Sequence, residues 1–270
     1  MKVKKYLPSL ITLANLFLGF LSLLFIHQGQ LIIGCYLILV SAGLDSLDGK
    51  LARKIGVASS FGKEIDSLAD LISFCLAPSF LIFVLFELKL EMLSSDLLFY
   101  YLAIISSLPV LMGAIRLARF NVTHSEESQS RYFVGLPSPM AAITICAITL
   151  LTLFGLEEDS NFLIVNNYEI AQNIISSFII LISFLMVSKI QFVKFPLFSF
   201  SIDKKNSTRL ILLFMSIIII IISMIYNYLH ITLFCFSIYY ILSNTILYFI
   251  NNSIKLNELK MKLKNKKRVQ

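Results

Sequence analysis

The chain has 270 residues, of which 57% are apolar and 14% are charged, and its formal net charge at pH 7 is +7. Soluble domains have about 25% charged residues, so this composition excludes an ordinary water-soluble globular protein. The apolar residues are gathered into long runs, and about 17–25 such residues cross the roughly 30 Å hydrocarbon core of a bilayer as a helix. We therefore predict an all-α, polytopic membrane helical bundle.

Eight spans are predicted from these runs. In chain order they cover residues 9–27, 31–48, 66–86, 97–118, 134–155, 171–188, 209–227 and 231–250. No internal repeat or low-complexity tract interrupts the sequence, which indicates that one bundle accounts for the whole chain.

The distribution of basic residues predicts the orientation of the bundle. With eight spans, both termini lie on one face, together with the connections near 49–65, 119–133 and 189–208. These segments and the adjoining span ends contain all 23 Lys and Arg residues except Lys89. Because basic residues accumulate on the cytoplasmic side of membrane proteins, we predict that both termini face the cytoplasm, in the inner (cytoplasmic) membrane of the cell.

The segment from Lys255 to Arg268 contains seven of these basic residues. It fits two roles equally well, attraction to anionic lipid headgroups and a solvated topology anchor. Nucleic acid is not an expected partner, because no basic module with interleaved aromatic residues accompanies the run.

Four aspartates set the junction of the second and third predicted spans apart from a lipid-facing helix. Asp45 and Asp48 are three residues apart, about 60° on a helical wheel, and Asp66 and Asp70 are four apart, about 40°. If the connection folds the two helices back on each other, the four carboxylates converge at the cytoplasmic edge of the membrane. Acidic residues within spans are costly and usually functional, so we predict that the active site lies here and faces the cytoplasm.

A divalent metal is the predicted partner of these carboxylates, since four like charges in a small volume repel one another. Mg²⁺ and Mn²⁺ prefer carboxylate oxygens, and no His or Cys lies within residues 45–70 to favour zinc. One or two such ions would leave positions open for phosphate oxygens. A structural ion pair with Arg53 or a nearby lysine would explain one or two of the aspartates but not four.

The full pattern is Asp45-x2-Asp48-Gly49-x2-Ala52-Arg53-x8-Gly62-x3-Asp66-x3-Asp70. It resembles the signature of the CDP-alcohol phosphatidyltransferase family and matches every fixed position of it. The resemblance implies a six-helix catalytic core in residues 1–190, two additional C-terminal transmembrane helices in 191–254 and a basic cytoplasmic tail in 255–270. It also implies a homodimer.

The resemblance assigns roles to the residues of the pattern. Asp45, Asp48 and Asp66 would bind the divalent metal, and Asp70 would act as the general base with a further contact to metal. The nucleotide of the CDP-lipid would be bound by the remaining fixed positions, which are Gly49, Ala52, Arg53 and Gly62. The acceptor hydroxyl would then attack the lipid-side phosphorus of CDP-diacylglycerol and expel CMP.

Three other segments bear on the acceptor. The fourth span ends with Arg116 and Arg119, which are three residues apart and suit a phosphate or a carboxylate. Residues 133–142 open the fifth span with two prolines, which leave backbone groups free to face a cavity. Thr12 and Asn15 lie near the cytoplasmic end of the first span and are candidates for CDP-lipid binding. Together these segments are similar to the bacterial, membrane-embedded members of the family that use serine.

The leading expectation is therefore transfer of a phosphatidyl group to L-serine. Glycerol 3-phosphate is the alternative acceptor and would make the chain a phosphatidylglycerophosphate synthase, whose pocket needs more cationic groups than a serine pocket. Inositol is a third choice. From a different class, the aspartates could form an ion-translocation site, but transporters place such sites near the midplane between repeats.

Overall fold

The computed structural model describes residues 7–55, 60–89, 96–127, 132–157, 168–193 and 228–266, together with 215, 218–220 and 222–226. The helices within these ranges are α1 (Leu7–His27), α2 (Leu31–Ile55), α3 (Ser60–Asp70), a π-helical segment (Leu71–Leu76), α4 (Ala77–Lys89), α5 (Asp96–Glu127), α6 (Ser138–Glu157), α7 (Tyr168–Val187) and α8 (Leu229–Lys266). Two short strands accompany them, β1 (Tyr132–Val134) and β2 (Gln191–Val193).

The predicted fold class is confirmed, because the described residues form an almost entirely helical bundle. Within the described residues, seven helices are long and apolar enough to cross a membrane. They are Pro8–His27, Leu31–Asp48, Phe61–Leu88, Leu97–Val122, Ser138–Gly155, Ile170–Val187 and Leu229–Ser253. The seventh predicted span, residues 209–227, is described only at residues 215, 218–220 and 222–226, and the rest of it lies outside the described residues. The chain is a multi-pass membrane protein.

The turn between α1 and α2 makes these two helices antiparallel neighbours. Gly29 adopts a φ of 78°, a left-handed conformation that favours glycine. Its N–H donates to the carbonyl of Ile26 at 2.9 Å, and the N–H of Gln30 donates to the carbonyl of Phe25 at 2.9 Å. This pair of bonds is the Schellman motif, which ends a helix and reverses the chain.

The structure differs from the sequence prediction at the start of the fifth span. The prediction begins this span at residue 134, whereas α6 begins at Ser138 because Tyr132–Val134 forms a strand. β1 pairs antiparallel with β2, so that Phe133 lies opposite Phe192. This two-stranded ladder was not predicted. It joins the segment before α6 to the segment after α7.

A π-helical segment interrupts the third span immediately after Asp70. It covers Leu71–Leu76 and ends where the N–H of Ala77 donates to the carbonyl of Ile72, five residues back. A π-segment of this kind is an α-helix with one extra residue, and such segments are frequent at functional sites. Here α3 and α4 continue through it as one candidate span, Phe61–Leu88.

Helix α6 lies at the centre of the bundle and packs against α2, α4, α7 and α8. Its inner positions include the fully buried residues Ala141, Ala142 and Cys146. Small side chains at helix interfaces let membrane helices approach closely. Around this centre, α1 packs on α2 and α3, and α5 packs on α4 and α7. The acidic ends of α2 and α3 are thereby brought together beside the end of α5.

Candidate active site

Three of the predicted aspartates form a compact cluster at one end of the bundle. Asp45 and Asp48 come from α2 and Asp66 comes from α3, and one carboxylate oxygen of each lies within 4.8 Å of the others. The helical spacing predicted this convergence. Asp48 is buried, while Asp45 and Asp66 are partly exposed, so the cluster is open on one side to a ligand.

Asp70 lies next to this cluster, one helical turn beyond Asp66. Its carboxylate lies within electrostatic range of that of Asp45, and two like charges held this close are stabilised by a cation or a proton between them. Its Oδ1 atom is shielded from solvent and has no hydrogen-bond partner among the described residues. Because buried polar atoms are nearly always paired, this oxygen is available to a ligand.

The donor set fits a hard divalent cation. Asp45, Asp48 and Asp66 offer only oxygen atoms, at separations that one ion can bridge. The shielded Oδ1 of Asp70, which has no partner in the described part of the chain, is a further candidate donor. No other group of three or more His, Cys, Asp or Glu side chains converges in this way within the described part of the chain.

Helix α1 contributes Thr12 and Asn15, which form hydrogen bonds with residues in and around the acidic cluster. Thr12 Oγ1 donates to Asp48 Oδ2 at 2.8 Å, which fixes the orientation of that carboxylate. Asn15 is fully buried; its Oδ1 accepts a hydrogen bond from Ser41 and its carbonyl accepts one from Ser73 at 3.1 Å. Its Nδ2 has no partner among the described residues. Thr12 therefore positions an acidic residue, and Asn15 holds one unused donor.

Arg116 and Arg119 of α5 have different hydrogen-bond partners, although their spacing places them on one helix face. Arg116 is buried, lies within electrostatic range of Asp70 and donates from Nη1 to Ser138 Oγ at 2.6 Å. Its Nε has no partner among the described residues. Arg119 instead donates to two backbone carbonyls, those of Val187 at 2.9 Å and Val134 at 3.0 Å.

The predicted nucleotide-binding positions flank the acidic cluster. Gly49, Ala52 and Arg53 lie on the last turns of α2, for which the structure describes the backbone, and Gly62 lies on α3. All four are within two helical turns of an aspartate of the cluster along the chain. Their roles in binding the CDP-lipid stay predictions.

Sequence reasoning missed three serines that hold the site together. Ser41 lies four residues before Asp45 on the same face of α2, so helical spacing could have found it. Ser138 falls within the proline-containing segment that was singled out, but nothing in the sequence indicates Arg116 as its partner. The position of Ser73 depends on the π-helical segment, and no sequence pattern predicted that segment.

The bundle and its acidic cluster define a polytopic membrane protein with an oxygen-rich site at one end. The chain belongs to the CDP-alcohol phosphatidyltransferase family, whose sequence profile matches residues 5–186. It is therefore a transferase.

Among similar proteins, the CDP-diacylglycerol–serine O-phosphatidyltransferase of Helicobacter pylori is 33% identical over 213 residues, which cover 79% of this chain and 81% of that protein. The archaetidylserine synthase of Methanothermobacter thermautotrophicus is 41% identical over 147 residues, 53% of this chain and 58% of that protein. The CDP-diacylglycerol–serine O-phosphatidyltransferase of Bacillus subtilis is 31% identical over 148 residues, 53% of this chain and 75% of that protein.

Proposed function

We propose that the protein is a CDP-diacylglycerol–serine O-phosphatidyltransferase, which transfers a phosphatidyl group from CDP-diacylglycerol to L-serine and releases CMP. The observation that carries the reaction class is the convergence of Asp45, Asp48 and Asp66 near Asp70, whose Oδ1 has no hydrogen-bond partner among the described residues. Serine as the acceptor is supported by the relatives from Helicobacter pylori and Bacillus subtilis, whose names state that substrate.

In this proposal Asp45, Asp48 and Asp66 hold a divalent metal, Mg²⁺ or Mn²⁺. When bound, such an ion neutralises the negative charge of a pyrophosphate. Thr12 contributes by holding Asp48 in one orientation, because a hydrogen bond to a ligating carboxylate fixes the geometry of the site.

Asp70 acts as the general base. Its Oδ1, which has no partner within the described ranges, accepts the proton of the serine hydroxyl, and the resulting oxygen nucleophile attacks the phosphorus that carries the diacylglycerol. A new phosphorus–oxygen bond forms as the bond to the CMP oxygen breaks, and CMP leaves. A carboxylate within hydrogen-bond reach of the hydroxyl contributes about 10²–10⁴-fold to such a step.

Arg116 binds the carboxylate of serine. Its Nε is a buried donor without a partner among the described residues, and it lies within electrostatic range of Asp70. An acceptor with a carboxylate at Arg116 therefore presents its hydroxyl toward Asp70. The nucleotide is bound by Gly49, Ala52, Arg53 and Gly62, with Asn15 Nδ2, which has no partner among the described residues, as a further donor.

Glycerol 3-phosphate is the second candidate acceptor, and the placement of Arg119 favours serine over it. A phosphate group carries up to two negative charges and suits two arginines better than one. Both terminal nitrogens of Arg119 are engaged by backbone carbonyls, so Arg116 is left as the arginine directed to the acceptor. One arginine matches the single charge of a carboxylate.

For the whole chain, we propose the arrangement that the sequence predicts. The site and both termini face the cytoplasm, and the protein lies in the inner (cytoplasmic) membrane as a homodimer. Residues 1–190 form the catalytic core, residues 191–254 carry two additional transmembrane helices and residues 255–270 form a basic cytoplasmic tail.

The test is release of CMP by purified protein in detergent. CDP-diacylglycerol and Mn²⁺ or Mg²⁺ are supplied with serine, glycerol 3-phosphate or inositol in separate reactions. We expect release with serine alone. Release with glycerol 3-phosphate instead would overturn the acceptor, and no release from demonstrably folded protein with any acceptor would contradict the reaction class.

A further inference from the structure

Helix α8 lies beyond the part of the chain that the family profile matches. It nevertheless forms side-chain hydrogen bonds to the backbone of strand β2. Asn244 Oδ1 accepts a hydrogen bond from the N–H of Val193 at 2.9 Å, and the Tyr240 hydroxyl donates to the carbonyl of Val193 at 3.0 Å. Asn244 Nδ2 donates to the carbonyl of Tyr240 at 2.8 Å. Two side chains of one helix thus satisfy both backbone polar groups of one residue of β2.

Aromatic packing between β2 and α8 adds to these hydrogen bonds. The ring of Phe192, which is fully buried, stacks on the ring of Tyr240 with centroids 5.9 Å apart and an interplanar angle of 23°. Hydrogen bonds to a backbone are directional, and an offset-stacked pair adds to them. β2 is therefore fixed against α8 at two successive residues.

Because β1 pairs with β2, fixing β2 against α8 also fixes β1 and the turn that follows it before α6. β1 pairs with β2 in a register that places Tyr132 opposite Val193. β1 then runs directly into Gly135, which has a φ of 81° and donates to the carbonyl of Ile190 at 2.8 Å. A side chain at Gly135 would collide with the carbonyl of Met186. The backbone of this turn therefore packs directly against the end of α7 and requires glycine.

The turn ends at Ser138, the residue that accepts the hydrogen bond of Arg116 at 2.6 Å. Arg119 ties the same turn to α5 through the carbonyl of Val134. Tyr240 itself lies within electrostatic range of Arg116. A continuous set of contacts therefore runs from α8 through the ladder to the arginine beside Asp70.

We propose that Tyr240 and Asn244 are positioning residues for the acceptor half of the site: by holding Val193 they fix the β1–β2 ladder, Ser138 and Arg116. This rests on the proposed function for the identity of the acceptor. It gives the C-terminal helix a task in catalysis, although α8 contributes no aspartate to the cluster.

The first test is a pair of substitutions with matched controls. Tyr240→Phe removes the hydroxyl and keeps the ring on Phe192, and Tyr239→Phe makes the same change at the exposed neighbouring position. Asn244→Ala removes both hydrogen bonds, and Asn251→Ala is its control at an exposed position of the same helix. We expect Tyr240→Phe and Asn244→Ala to raise the KM for serine roughly five- to tenfold, with kcat and the KM for CDP-diacylglycerol within about twofold of wild type.

The second measurement does not depend on the acceptor. Amide hydrogen exchange at residues 132–138 should become faster in Asn244→Ala and stay at the wild-type rate in Asn251→Ala, because only the first substitution releases Val193. An unchanged exchange rate in Asn244→Ala, or an unchanged serine KM in both folded variants, would overturn the proposal. A wild-type protein that does not use serine would contradict the proposed function instead, and exchange would still decide the role of α8.

Discussion

At the scale of single residues, the site is distinguished by which polar atoms are already paired. Asp48 is held by Thr12, and Arg119 is engaged by two carbonyls. Asp70 Oδ1 and Arg116 Nε are buried and have no partner among the described residues. An unpaired buried polar atom costs about 1–3 kcal/mol, so two such atoms on residues within electrostatic range of each other indicate a place that a substrate completes.

Removing the charge of Asp70 tests its role as base. Asp70→Asn keeps the size of the side chain, so we expect folded protein whose CMP release is at least about 100-fold slower than wild type. Glu64→Gln, the same chemical change at an exposed position of α3, should leave the rate unchanged. An Asp70→Asn variant that retains more than about a tenth of the wild-type rate would contradict the general-base assignment.

Asp66 makes a different prediction, because its proposed partner is the metal. Asp66→Asn removes one charged donor from the cluster, and we expect the metal concentration for half-maximal activity to rise at least about tenfold. The measurement is a titration with Mg²⁺ and with Mn²⁺, and Glu64→Gln serves again as control. A titration curve that coincides with that of wild type would remove Asp66 from the set of metal ligands.

At the scale of elements, the helices could be predicted from the sequence, whereas the connecting segments that orient them could not. Long apolar runs place the spans, and helical spacing places Asp45, Asp48 and Asp66 together. The β1–β2 ladder joins residues about 60 positions apart through three-residue strands, which are too short to show a periodic pattern. The two carbonyls that engage Arg119, those of Val134 in β1 and Val187 at the end of α7, come together only in the folded chain. The sequence spacing therefore assigned Arg119 to the acceptor together with Arg116.

Close contact between α1 and the π-helical segment gives a prediction at this scale. A side chain at Gly19 would collide with Ser73, including its Cα atom at 2.9 Å, whereas nothing lies within 4 Å of a side chain at Gly43. Gly19→Ala should therefore destabilise the protein by about 1–3 kcal/mol, measured by thermal unfolding in detergent. Gly43→Ala should be neutral or slightly stabilising, since alanine favours helix. Equal stability of the two variants would contradict the packing described here.

At the scale of the whole molecule, the bundle has a chemically distinct end. The acidic cluster lies where α2 and α3 meet, and the turn between α1 and α2 with Gln28 and Gly29 lies at the other end of α2. The topology predicted from the sequence places every Lys and Arg except Lys89 on the side of the cluster. The proposed cytoplasmic orientation therefore places the site next to soluble serine and lets CMP leave into the cytoplasm.

Vesicles of known orientation test that proposal. Lys63→Cys places a thiol at an exposed position near the cluster, and Gln28→Cys places one at the opposite end. A membrane-impermeant maleimide should label Lys63→Cys in inside-out vesicles and Gln28→Cys in right-side-out vesicles. Wild-type protein is the control for the four native cysteines. The reverse labelling pattern would show that the site faces away from the cytoplasm.

The π-helical segment after Asp70 separates one span into two halves with independent registers. Its extra residue offsets the half with Asp66 and Asp70 from the half that begins at Ala77. Deleting one residue from Leu71–Leu76 would restore an uninterrupted α-helix and rotate one half against the other by about 100°. A homologue with one residue fewer in this interval would still align at all four aspartates. Either its α3 half, with the aspartates, or its α4 half would then be rotated away from the orientation it has in this protein. The length of this interval is thus as informative about activity as the aspartates themselves.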